Sequence, residues 1–75
     1  MIFERLRTLI SKQIEIDEDE IIMESSFEDD LGMDDPDMIE LIIGAEEEFD
    51  IEIDANGPDF NTVGEIVNYV QSQLE

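Results

Sequence analysis

The chain has 75 residues, of which 23 are acidic and 3 basic, giving a net charge of −20, with neither cysteine nor histidine. That length holds one small domain (1–75) with little surplus stability, and it excludes disulfides, thiolate metal sites and the commonest general base. A surface so acidic repels nucleic acid and anionic membrane, and it draws basic protein partners or loosely held divalent cations.

Ile2, Phe3, Leu6, Leu9, Ile10 and Ile14 recur at helical spacing and predict a first helix over about 2–15. Arg5, Arg7 and Lys12 lie on or beside its polar face, and no base follows Lys12. This start is periodic and not signal-like. The longest apolar run, Leu41–Ala45, falls far short of the roughly 18 residues of a membrane span. With no cysteine besides, a cytoplasmic, monomeric protein without membrane insertion is expected.

Residues 16–35 make a long connection with Ile16, Ile21, Ile22, Phe27 and Leu31 scattered through it as anchors, so it reads as a packed loop. Gly32 is placed for a turn with positive φ or a close approach. A second helix is expected over 35–49, with Asp35 as N-cap, Pro36 at the first helical position and Asp37 beside the positive end of the dipole. Ile39, Leu41, Ile42, Ile43, Ala45 and Phe49 supply its apolar residues.

Ile51 and Ile53 alternate with acids, but a lone strand has no partner, so an extended connector is expected. Asn56-Gly57-Pro58 marks a turn, with a short or degenerate helix near 58–61. Thr62 and Glu65 have capping-box spacing and open a last helix over 62–73, with Val63, Ile66, Val67, Val70 and Leu74 inward. The fold class is therefore all-α, a small helical bundle.

Six acids crowd Asp29–Glu40, and hard cations favour carboxylates. Counting back from Glu40, however, puts Leu31 and Met33 at calcium-loop ligand positions and Asp34 where glycine is needed. No specific metal site is expected. Among 23 acids close carboxylate pairs arise by chance, and a bundle this small has no deep pocket, so no catalytic residues are assigned. Met23, Met33 and Met38 read as core or rim residues around the same region.

The stretch Asp30-Leu31-Gly32-Met33-Asp34-Asp35-Pro36-Asp37-Met38-Ile39-Glu40 resembles the signature of the acyl carrier protein family. Matches run along the whole chain: Ser26-Phe27 before Asp30-Leu31-Gly32, the acidic helix after it, Glu47-Glu48-Phe49 with Ile51-Glu52-Ile53, and Thr62-Val63 at the last helix. The resemblance implies a four-helix bundle that is a carrier and not an enzyme, with an attachment serine bearing 4′-phosphopantetheine. It also implies a second helix that meets basic docking patches on acyl-transfer or synthase-type enzymes. In that alignment Asp35 stands at the serine and Pro36 at an apolar contact position. An aspartate cannot form the phosphodiester, so no cofactor is expected on the chain as written.

Gly44-Ala45 thins the core side of the second helix relative to the family, and the segment 56–61 is shorter. The partner-binding residues implied are Asp34, Asp35, Pro36, Asp37, Met38, Ile39, Glu40, Ile43, Glu46 and Glu47. Asp35 then reads as a mere cap in a carrier homologue that has lost its arm, as an altered serine in a genuine acyl or aminoacyl carrier, or as a permanent charge mimic of the phosphate. The first makes the chain an interaction or regulatory module in fatty acid or secondary-metabolite biosynthesis. A generic acidic binding module without carrier ancestry is the remaining alternative.

Overall fold

A computed structural model describes residues 2–53 and 60–75. Its elements, in chain order, are helix α1 (Ile2–Ile14), a 3-10 turn (Glu18–Glu20), helix α2 (Asp35–Phe49) and helix α3 (Val63–Leu74). No strand occurs among the described residues beyond a single antiparallel bridge between Ser26 and Thr62. The expected Asn56-Gly57-Pro58 turn, and the first half of the short helix expected near 58–61, lie outside the described residues. Phe60 and Asn61 are not helical.

Helix α1 is the spine, packing against both other helices. Its Leu6 and Ile10 are fully buried, meeting Leu41, Ala45 and Phe49 of α2 and Val63, Ile66, Val67 and Val70 of α3 in one core. Leu41, Ala45 and Phe49 recur every fourth residue, so one narrow stripe of α2 is buried. Leu74, expected inward, is half exposed at the frayed end of α3.

Both α1 and α2 stop the same way. Glu15 (φ 57°) and Asp50 (φ 54°) adopt the left-handed conformation. The amides of Ile16 and Ile51 then reach back to the carbonyls of Ser11 and Glu46, each at 3.2 Å. These are Schellman closures that fold an isoleucine back over the helix end.

Two of the three bases are spent on internal clips. Arg5 donates from Nε to Glu48 Oε2 and from Nη2 to the Glu48 carbonyl, both at 2.8 Å, with its guanidinium 4.8 Å from the Phe49 ring centre. Arg7 faces Glu18 (3.4 Å) and lies over Phe3, while the Thr8 hydroxyl donates to Glu18 Oε1, so the 3-10 turn is held on α1. Lys12 is exposed and has no ion pair with another described residue.

The connection between α1 and α2 is packed, with Ile21, Phe27 and Met33 buried. Ile22 corrects the expectation of an anchor at every apolar position, being 52% exposed. Adjacent residues in an extended segment point to opposite sides, so burying Ile21 turns Ile22 out. Gly32 has the expected positive φ of 64°.

Backbone hydrogen bonds join the loop to the start of α3. Phe27 N–H donates to the Asn61 carbonyl (2.9 Å), Val63 N–H to Ser25 (3.1 Å) and Gly64 N–H to Met23 (2.9 Å). These carbonyls satisfy two of the first-turn amides that every helix leaves open. The expected Thr62–Glu65 capping box is not formed, because Glu65 N–H donates to the Thr62 carbonyl (3.2 Å). Thr62 makes no side-chain cap; its hydroxyl donates to Glu65 Oε2 (3.4 Å), and Glu65 Oε1 accepts from Asn61 N–H (3.1 Å).

Candidate docking site on the second helix

The first turn of α2 is built by two carboxylates three residues apart. Asp34 is extended (φ −104°, ψ −174°) and its side chain accepts from Asp37 N–H, while Asp37 Oδ2 accepts from Asp34 N–H, at 3.4 and 3.3 Å. The Asp34 carbonyl takes the first helical bond, from Met38 N–H at 3.0 Å. The N-cap is therefore Asp34, one residue earlier than expected, with Asp35 and Pro36 in the first two helical positions. The reason lies in the spacing: Asp34 has Asp37 three residues on, whereas Asp35 has Met38, which cannot return the bond. Proline is tolerated here because first-turn amides have no intrahelical acceptor. Gln13 Nε2 donates to the Asp37 carbonyl (2.7 Å), fixing this turn against the end of α1.

Released from capping, Asp35 is exposed and its carboxylate makes no hydrogen bond to another described residue. It sits where the helix dipole is positive. Asp35, Ile39, Ile43 and Glu47 follow at successive fourth positions, so they share one row on the helix surface. All are exposed, Ile39 by 61% and Ile43 by 51%, and exposed Pro36 and Glu40 adjoin them. Ile39 and Ile43 thus contribute nothing to the core, and the row is an apolar strip with acids at both ends.

The other expected partner-binding residues have internal work. Asp34 and Asp37 make the cap. Met38 packs half-buried against the core. Glu46 Oε2 accepts from Ile53 N–H (2.9 Å) and holds the chain leaving α2. Of the pair Gly44-Ala45, Ala45 is the one on the core side, fully buried, while a Cβ on Gly44 would meet nothing within 4 Å.

One surface escaped the sequence reading. Ile16, Glu20, Ile22, Ser25, Asp30 and Leu31 line a groove of about 440 Å³ in the first connection. Its only signal was the doublet Ile21-Ile22, of which just one can face inward. Among the described residues no three acidic side chains converge as a metal site, and no helix is long and apolar enough to cross a membrane.

A family model described as phosphopantetheine attachment site matches residues 4–70. The acyl carrier protein of Clostridium acetobutylicum is 49% identical over 76 residues, spanning 100% of this chain and 99% of that protein. Those of Clostridium perfringens strains SM101 and 13 are each 45% identical over 74 residues, 97% of either partner. With a helical core, an acidic second helix and similarity along its whole length, the chain belongs to the acyl carrier protein family.

Proposed function

We propose that this chain docks onto enzymes of fatty acid or related biosynthesis through the exposed row of α2, and that it carries no phosphopantetheine arm as its sequence stands. The carrying observation is that Asp35 heads the row Asp35–Ile39–Ile43–Glu47, exposed and unused by the cap. The fold does not require a carboxylate there, yet one occupies the place the family resemblance gives to the attachment serine.

The chemistry follows from the oxygen. Transfer of phosphopantetheine needs a hydroxyl to attack the pantetheine-side phosphorus of the coenzyme A diphosphate, forming a phosphodiester as the P–O–P bond breaks and adenosine 3′,5′-bisphosphate leaves. A carboxylate could yield only a mixed anhydride, open to hydrolysis. Other hydroxyls are placed elsewhere: Ser25 is buried and accepts from Ile22 N–H, Ser26 accepts from Asp29 N–H, and Ser11 and Ser72 bond to backbone carbonyls of their own segments. Members of this family are carriers rather than enzymes, so no catalysis is assigned. The partners are basic patches on acyl-transfer or synthase-type enzymes, met by a single-domain monomer in the cytoplasm. Rim acids govern encounter rate and specificity, and Ile39 and Ile43 supply apolar contact.

A second reading, a genuine carrier altered at its attachment residue, is favoured by the same independence of Asp35 from the cap. Serine at 35 would stand in the same place with nothing rebuilt. Incubation with coenzyme A and a promiscuous phosphopantetheinyl transferase, followed by intact-mass measurement, tests both. No adduct on the unaltered chain and a single phosphopantetheine on Asp35→Ser is the expected result. A modified unaltered chain would overturn the assignment. Modification only of Asp35→Ser/Pro36→Leu would show that the docking face has diverged beyond one residue and weigh against the second reading.

A further inference from the structure

The groove of the first connection is lined by three apolar side chains, two carboxylates and a serine. Ile16, Ile22 and Leu31 supply the apolar wall, and Glu20 and Asp30 the carboxylates. Ile22 leaves half its surface to solvent, although its neighbour Ile21 is buried. In the wall, Ser25 Oγ accepts from Ile22 N–H at 3.0 Å. Asp30 is held by Ser26 N–H on Oδ2 (2.7 Å), which fixes its carboxylate and leaves Oδ1 available.

No basic residue lines this groove, and Lys12 lines a separate depression beside Arg5 and Glu48. Arg5 and Arg7 are bound to Glu48 and Glu18, and the sequence has no base after Lys12. The chain runs from Asp30-Leu31 of the groove through the Gly32 turn to the Asp34 cap, so two of the lining residues lie within four positions of the N-cap of α2.

We propose that the groove receives an arginine side chain of the protein that lies along α2. The aliphatic stem of arginine covers Ile16, Ile22 and Leu31, as long cationic side chains cover apolar surface generally. Its planar guanidinium presents several donors at once and is more weakly hydrated than an ammonium, which suits a lining that holds two carboxylates. The source of the arginine rests on the docking reading of α2; the chemistry of the groove does not.

The side-chain mimic n-butylguanidinium is titrated at constant ionic strength into the intact ¹⁵N-labelled chain, with guanidinium as control. Saturable amide shifts centred on Ile16, Ile22, Ser25 and Leu31 are expected, with tighter binding than guanidinium alone. Glu20→Gln and Ile22→Ser, both at exposed positions, should each weaken binding about two- to fivefold, the size of one exposed ion pair or contact. Shifts spread evenly over Glu40 and Glu47, or affinity unchanged in both variants, would overturn the proposal. The titration involves no transferase, so its failure and the failure of the adduct experiment are separate results.

Discussion

Exchanging the two neighbouring aspartates for alanine, one at a time, separates the cap from the displayed charge. Asp34→Ala deletes the acceptor for Asp37 N–H, while the backbone N–H of residue 34 can still donate to the Asp37 carboxylate. Lost N-caps cost about 0.5–2 kcal/mol, and bonds of 3.3–3.4 Å place this one near the middle, about 1 kcal/mol. In a domain of this size that is a Tm lower by about 4–8 °C. Asp35→Ala removes a favourable charge from the positive end of α2, worth about 0.3–1 kcal/mol at low salt. It also removes one unit from a net charge of −20, which acts in the opposite direction. Its net effect should lie within about 0.5 kcal/mol.

Thermal and urea unfolding followed by circular dichroism at 222 nm read both variants. Asp34→Asn serves as control, because asparagine caps as well as aspartate without the charge. If Asp35→Ala destabilises as much as Asp34→Ala, the carboxylate at 35 is structural and the docking argument loses its main support. If Asp34→Asn is as costly as Asp34→Ala, charge rather than capping holds this turn.

Other substitutions test the packing. Gly44→Ala, with open space around the new methyl, should stabilise by about 1 kcal/mol through helix propensity, seen as a higher urea midpoint with unchanged slope. Gly64→Ala should do the reverse, because its Cβ would lie 3.1 Å from the Met23 carbonyl oxygen. Overpacking of about 1–3 kcal/mol against about 1 kcal/mol of propensity leaves a loss of up to about 2 kcal/mol, and a gain would contradict the geometry. Salt should stabilise the fold. At 0.01 M the screening length, about 30 Å, exceeds every dimension of a 28 × 25 × 19 Å molecule, and at 0.15 M it falls to about 8 Å. Tm should therefore climb by several degrees between these concentrations, and higher still with magnesium at equal ionic strength; a flat Tm would show that repulsion is not limiting.

The three helices were legible because their buried residues repeat cleanly, and the predicted limits of 35–49 for α2 agree with Asp35–Phe49. The cap was misplaced because three consecutive acidic or turn-forming residues each suit a helix start. Only the reciprocal partner three positions on distinguishes Asp34 from Asp35. Ile39 and Ile43 were readable as both core and contact residues, since a helix rich in isoleucine has more apolar positions than one stripe can bury. Glu46 looked like another surface acid, and nothing local foretold that its carboxylate would hold Ile53 seven residues later. The 3-10 turn at Glu18–Glu20 and the backbone stitching of the loop depend on segments distant in sequence, which no window of periodicity contains.

That stitching has a consequence for how the molecule opens. Helix α3 gains acceptors for its first amides only when Met23 and Ser25 are in place, and the loop gains a donor-acceptor register only when Asn61–Gly64 arrives. Neither segment can detach without stranding polar backbone in the other. The loop and the start of α3 therefore form one cooperative unit, in which the amides of Phe27, Val63 and Gly64 should show a common opening free energy in hydrogen exchange.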